Sequence, residues 1–406
     1  MNLNFKLILA LSFYNALIIN LSKPIKFDVS VVGSYIKEDG LGSMAVNFIE
    51  NFKDELNINF INTRIIKDKL EDNNISNNIS NNISILFDIL WCKNHDFYKS
   101  VSESKIKLAY TMVESTRIPK EWVDILNNNF DAAIVPDKFL IKVYKKSGVN
   151  IPIFFLPISI LLEDIKFYKL NKNIKSVFTF GCSASFLDRK NHEVLLNAFL
   201  NKFQGNNNVI LKLHGRNGDY NIINKLKTII KDRNATNVRL ILKPLNRTSY
   251  LKFMNSLDCY VLVSKGEGFS ISPRESIALE IPTIISDNTA HSTLCKTPYF
   301  VPVVANTKEP ADCRWVFDSY CGSYHQVNIE SLEKTLCDVY NNYNYFRQKA
   351  VLGSIWVEKY AHKNLRNKYL NLIKPKRLIL GHKNVINDEY LMTNCEKLYQ
   401  KYLILN

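Results

Sequence analysis

The feature that most limits the fold is an alternation of short β-branched runs with longer helical patterns, which runs once and then starts again. Buried parallel strands read as near-continuous apolar runs, and helices cross between them. Phe27 to Val32 predicts a first strand, followed by a loop with Gly33, Gly40 and Gly42 and a helix through Glu50. Strands are expected at 58–66, 83–90, 108–112, 132–135 and 153–156, with helices at 122–127 and 139–147. After Pro157 the chain turns polar and rich in Lys and Asn as far as Lys175, which reads as a linker. The second round has strands at 176–180, 209–214, 238–242, 259–263 and 283–286. Helices are expected at 191–203, 220–231, 249–256 and 273–279, then at 328–341 and 345–373. The class is therefore α/β, with two Rossmann-like domains facing across a cleft and ligands held beyond the carboxyl ends of the strands.

Four regions follow: an apolar N-terminal segment at 1–24, a first domain at 25–170, a second at 171–373 and a basic tail at 374–406. Phe5 to Leu21 is interrupted by Lys6, Ser12, Asn15 and Asn20 and is short for a membrane span. It fits a helix packed on the protein best, a membrane-associated helix next, and a signal peptide least, because Leu21-Ser22-Lys23-Pro24 is a poor cleavage site. The Asn-Asn-Ile-Ser repeats of 73–82 read as an exposed loop.

A net charge of +15 draws the chain toward anionic partners: membrane surfaces, nucleic acids or phosphorylated ligands. The basic residues are dispersed and form no arm, and no nucleic-acid-binding motif is present, so nucleic acid is not expected as a partner. None of the eight cysteines forms a C-x-x-C pair. Free thiols in a reducing, cytoplasmic compartment are the expectation.

The strongest chemical signal is the run from Ser264 to Glu275, Ser-Lys-Gly-Glu-Gly-Phe-Ser-Ile-Ser-Pro-Arg-Glu, between an apolar strand and a helix that Pro273 can start. Gly266 and Gly268 allow close backbone approach, and the N–H groups of a helix start suit a diphosphate. Glu275 is placed to accept hydrogen bonds from ribose hydroxyls, and Glu267 from sugar hydroxyls. The plain alternative is a glycine-rich turn with two solvated glutamates. Spacing alone favours that alternative.

The run resembles the E-x7-E signature of the family 4 retaining glycosyltransferases, and the likeness continues through Ala278, Ile281-Pro282 and Thr283-Ile284-Ile285. Phe178-Thr179-Phe180-Gly181, Arg189-Lys190-Asn191 and Leu195 to Phe199 resemble the start of that family's donor domain. The resemblance implies a GT-B fold and sugar transfer from a nucleotide-sugar with retention of configuration. It also implies that Lys190 binds the donor diphosphate. Where family members often carry Arg after the Gly, this chain has Cys182, and Arg189 is the candidate second cation. The alternative for both is a solvated basic pair, since cations at a helix start gain nothing from its dipole.

The loop from Gly33 to Ser43, with Gly42, follows the first strand as the family's N-terminal glycine loop does. A simple turn explains it nearly as well. After Tyr110-Thr111-Met112-Val113, where the family often has a His near the reacting carbon, this chain has Glu114. Its carboxylate either steadies charge on the sugar or orients the acceptor, or else plays a structural role. His214 and His291 each suit either a cleft position or a structural one.

The candidate catalytic residues are thus Glu267 and Glu114, and the candidate donor-binding residues are Lys190, Arg189, Gly268, Phe269, Ser270, Glu275 and Gly42. No metal or other cofactor is expected, since Asp-x-Asp is absent. The expected partners are a nucleotide-sugar donor and a glycan, lipid or protein acceptor, with peripheral contact to an anionic membrane. The expected location is the cytoplasm, with membrane association as its variant. The competing readings are an epimerase or phosphorylase of the same fold, and a non-catalytic protein that binds sugar nucleotides or polyanions.

Overall fold

The computed structural model describes residues 27–35, 42–63, 82–90, 97–98, 104–169, 177–216, 218–314, 319–373 and 389–404. The apolar segment Phe5 to Leu21, most of the Asn-rich loop, Gly40, the end of the expected linker and residues 374–388 lie outside the described residues.

The first sheet is built from β1 (Val29–Gly33), β2 (Ile58–Asn62), β3 (Ile83–Phe87), β4 (Ile106–Tyr110), β5 (Ala132–Val135) and β6 (Ile153–Phe155). Its order is β2-β1-β3-β4-β5-β6 and every pairing is parallel. Every residue of β1, β3 and β5 is buried, as strands covered on both faces require. Helices α1 (Gly42–Phe52), α2 (Lys120–Asn129) and α3 (Lys138–Ser147) belong to this unit. Asp137 caps α3 by accepting from the Phe139 N–H, and Gly148 ends it at φ 105°.

The expected linker contains helix α4 (Glu163–Lys169), which packs on the second unit. That unit holds β7 (Phe178–Ser183), α5 (His192–Phe203), β8 (Val209–His214), α6 (Tyr220–Asp232), β9 (Val238–Ile241) and α7 (Arg247–Asn255). It continues with β10 (Cys259–Leu262), α8 (Ile271–Ala278), β11 (Thr283–Ser286), α9 (Thr289–Cys295) and β12 (Val301–Val303). Its sheet order is β12-β11-β10-β7-β8-β9, again parallel. The two α/β units expected from the restarted pattern are present.

Three features go beyond that pattern. A separate antiparallel hairpin, β13 (Thr307–Asp312) and β14 (Tyr320–Gln326), follows β12. The helix expected at 328–341 is present as α10 (Ile329–Asn341), but the one expected at 345–373 is broken: α11 (Tyr343–Trp356) stays with the second unit, and a 3₁₀ turn, Val357–Tyr360, precedes α12 (His362–Ile373). The chain there crosses back beside the first crossing, with the Ile160 N–H donating to the Tyr360 carbonyl at 2.9 Å. On the first unit Tyr369 donates to the Pro157 carbonyl at 2.9 Å and shares a hydroxyl contact with Tyr110 at 3.3 Å. A last helix, α13 (Glu389–Leu403), lies in the region expected as a basic tail. No helix among the described residues is long and apolar enough to cross a membrane.

Candidate active site between the two sheets

The signature loop leaves the carboxyl end of β10 and is held on both sides by neighbouring turns. The Ser264 carbonyl accepts from Ser286 Oγ at 2.6 Å and from the Asn288 side-chain amide at 2.9 Å. The Glu267 N–H donates to Thr289 Oγ1 at 2.8 Å. Helix α8 starts at Ile271, two residues before Pro273, because Ser270 turns the chain with a left-handed φ of 71°. Its side chain does not cap the helix but meets His291 Nε2 at 2.9 Å. The first-turn N–H groups of α8 therefore carry no side-chain cap, which suits an anion.

Arg274 locks the loop from below. It is fully buried, donates to the Phe269 carbonyl and to the Ser270 carbonyl (2.8 Å), and stacks 3.7 Å from the Phe269 ring centroid. Across the cleft it faces Asp137, 3.8 Å away, whose carboxyl burial pushes above its usual range. The Phe269 side chain thus packs inward against Arg274 and Tyr360. Any donor contact at that residue falls to its backbone.

Four of the candidate residues meet. Lys190 pairs with Glu267 in a short contact, Arg189 Nη1 lies 3.4 Å from the same carboxylate, and Arg189 Nη2 is 3.2 Å from Glu114 on the facing unit. Arg189 also donates to the Gly266 carbonyl at 2.6 Å. Burial alone would raise the Glu267 pKa, yet the Lys190 and Arg189 charges pull it down to about 2. Burial pushes Lys190 down, with Glu267 opposing. Burial also works against the Arg189 charge, but Glu114 and Glu267 prevail and raise its pKa. Cys182, where family members often carry Arg, is buried with its thiol pushed up to about 12, and Arg189 reaches the cluster from the 3₁₀ turn Asp188–Lys190.

Glu275 lies apart from this cluster. One oxygen accepts from Arg247, the other from the Tyr250 hydroxyl at 2.7 Å, and Arg247 also holds Asp164 of α4 at 2.7 Å. Gly42 is buried at the start of α1 and takes no part in the contacts that join the cluster. His291 is buried and held down to about 4, chiefly by burial. His214 bonds Ser183 Oγ at 2.8 Å and the Lys243 carbonyl at 3.1 Å, and burial lowers it.

What the two signature glycines admit here is the loop after β4. A Cβ on Gly266 would lie 2.0 Å from the Glu114 carbonyl oxygen, and one on Gly268 2.8 Å from Met112 Sδ. The hairpin closes on the same loop: the Ser323 N–H donates to Thr116 Oγ1 at 2.9 Å, and Lys265 ties it down through Asp188 (2.7 Å) and Glu309 (2.8 Å).

Arg247, Tyr250, Arg274, Lys265 and the hairpin were not singled out from the sequence. Arg274 and Lys265 stood inside the signature and were readable as buried cations only once their partners were placed. Arg247 and Tyr250 share one helix, but nothing local points them at Glu275, 25 to 28 positions away.

Residues 165–296 match the family model of the glycosyl transferases group 1. In fold, the chain is similar to HepE of Anabaena, solved with UDP and glucose: 9% identity, a TM-score of 0.60, and 87% of this chain over 99% of that one. Sucrose-phosphate synthase of Thermosynechococcus elongatus superposes with a TM-score of 0.64 at 10% identity, over 87% of this chain and 99% of that one. A variant of Staphylococcus aureus TarM, solved with fondaparinux, alpha-GlcNAc-glycerol and UDP, shares 16% identity and a TM-score of 0.55. The match takes in 72% of this chain and 55% of TarM. No curated protein sequence matches the chain. The GT-B architecture implied by the sequence resemblance is thus the architecture observed.

Proposed function

We propose that the chain transfers a sugar from a nucleotide-sugar to a glycan, lipid or protein acceptor with retention of configuration. The observation that carries this reading is the largely buried Arg189–Lys190–Glu267–Glu114 cluster, which joins the carboxyl ends of both sheets beside the uncapped start of α8. In this reading the first turn of α8 and Lys190 hold the donor diphosphate, and Glu275, steadied by Arg247 and Tyr250, accepts from the ribose. The bond from the anomeric carbon to the phosphate oxygen breaks, and its electron pair goes to the diphosphate. The acceptor oxygen bonds to the same face of that carbon, and its proton passes to the departing phosphate oxygen. Glu267 orients the sugar and Glu114 steadies the positive charge that develops on it. Lys190 and Arg189 supply the cations in this scheme, and no metal is invoked.

The cluster as it stands holds two cations and two carboxylates, so a diphosphate meets no net positive charge. Donor binding therefore has to exchange partners. Glu267 turns to sugar hydroxyls and releases Lys190 to the phosphates. The hairpin over Glu114 borders the acceptor side. The free thiols of Cys182, Cys313 and Cys321 support a cytoplasmic setting, and the net charge of +15 supports peripheral contact with an anionic membrane.

Thermal-shift measurements with uridine, guanosine and adenosine sugar nucleotides test the donor, uridine first because HepE and the TarM variant were solved with UDP. Nucleoside diphosphate release with acceptor extracts tests transfer. Lys190→Ala and Glu275→Ala are expected to weaken both. Unchanged donor affinity and turnover in the two variants would sink the site. An epimerised donor, or binding without any release, would replace transfer by one of the competing readings.

A further inference from the structure

Helix α11 buries three small residues, Ala350, Gly353 and Ser354, at its closest contact with the rest of the unit. A Cβ on Gly353 would lie 2.7 Å from Ile277 of α8 and 2.9 Å from Tyr299, so the helix presses directly on the back of the signature helix. Phe346 and Trp356 also pack on the core, but four other large apolar side chains face solvent: Ile355 is 70% exposed, Leu352 58%, Tyr345 55% and Val351 38%. At this spacing the four share one side of the helix. Single exposed apolar residues are ordinary, but four on one short helix are not.

Charge indicates what covers them. The helix carries Arg347 and Lys349 and no Asp or Glu. Lys349 sits 4.5 Å from the Tyr345 ring, and just beyond the helix Lys359 sits 3.9 Å from the Trp356 ring. Glu358, the nearest acid in the chain, is engaged by Lys166 at 3.0 Å. An apolar stripe flanked by cations and aromatic rings suits a surface that is greasy within and negative at its edge. A two-fold contact between copies would set Arg347 and Lys349 against their own kind. A nucleic acid would leave the apolar stripe unmatched.

We propose that the outer face of α11 docks on an anionic lipid surface, with Leu352 and Ile355 entering the headgroup boundary and Arg347, Lys349 and Lys359 meeting lipid phosphates. This rests on the membrane contact put forward above and is independent of sugar transfer. Because α11 backs α8, docking would hold the donor-side unit at the bilayer.

The test is co-sedimentation of the full chain with vesicles of phosphatidylcholine plus phosphatidylglycerol, and with phosphatidylcholine alone. Wild type is expected to prefer the anionic vesicles and to be released by salt. Leu352→Glu/Ile355→Glu and Arg347→Ser/Lys349→Ser are each expected to cut partitioning by roughly tenfold. The side chains are exposed, so both variants should keep the thermal stability of the wild type. Wild type that binds neither vesicle removes membrane contact altogether. Wild type that binds while both variants bind equally well removes this face alone. Equal binding to neutral vesicles removes the charge argument, and self-association that the Glu variant abolishes makes the face a contact between copies. None of these outcomes touches the transferase reading, which nucleoside diphosphate release decides separately.

Discussion

Lys190 and Glu267 neutralise each other in a buried pair, and that pair makes the donor-exchange idea measurable. Glu267→Gln removes the competitor for Lys190 while keeping its shape. Nucleoside diphosphate is then expected to bind as well as to wild type or better, while transfer falls roughly 10²-fold for want of the carboxylate that orients the sugar. Calorimetric titration with the diphosphate beside turnover reads the split, and a joint loss of both would overturn it. Titration of the histidines is a second single-residue matter. Burial holds His192 at about 3 and His291 at about 4, both below the ordinary imidazole value. The unfolded chain takes up protons at these residues below about pH 6.5, and the folded one does not until far lower. Their contribution to stability is therefore complete above about pH 6.5 and declines as the pH falls toward 4 and 3. Glu267, at about 2, adds a loss of the same sign below the ordinary carboxylate range. Each histidine accounts for roughly 2 kcal/mol by about pH 5. Urea unfolding at about pH 7 and about pH 5 measures the drop, and a flat profile would contradict it.

The hairpin β13–β14 shows where reading elements from sequence ran out. Its first strand, Thr-Lys-Glu-Pro-Ala-Asp, has neither apolar alternation nor β-branched density, and nothing local marks it. It exists because Lys265 and the loop at Thr116 hold it. The parallel strands, by contrast, were legible because being covered on two faces leaves an apolar run in the chain itself. Even so, α8 begins two residues before the proline expected to start it, since the left-handed turn at Ser270 is held by His291 from outside the segment and by Arg274 from within α8. Glu267, Lys190, Arg189 and Glu114 were legible as chemistry. Their pairing was not, because it joins separate elements across a cleft. The hairpin's docking hangs on Gly322, at φ 73°, where a Cβ would come within 2.6 Å of the Arg117 backbone nitrogen. Gly322→Val is expected to cost about 1–3 kcal/mol, localised to the hairpin. Hydrogen exchange should quicken at the Ser323 amide and along β14 while the two parallel sheets keep their protection. Slow exchange there in the variant would show that the contact is incidental.

The two units come to backbone distance at Gly266, where a side chain is missing, and this gives the molecule as a whole a single-atom control on closure. Gly266 belongs to the second sheet's loop and Glu114 to the first's. A Cβ at Gly266 would stand 2.0 Å from the Glu114 carbonyl oxygen, a backbone atom that cannot rotate away. Alanine there leaves α8 and Lys190 in place, since both belong to the second unit, but pushes the facing loop back and parts Arg189 from Glu114. If both halves of the cleft are needed for transfer and only one for the donor, Gly266→Ala separates the two. Donor affinity is expected to stay within a few-fold of wild type, while turnover drops by up to about 10²-fold, the scale expected when reacting groups are displaced by about 1 Å. Spin labels on α2 and α6 should report a longer or broader distance between the units. The same variant with unchanged spacing and turnover would mean that the approach of Gly266 to Glu114 plays no part in catalysis. A parallel loss of donor affinity would mean that the nucleotide is held by both units.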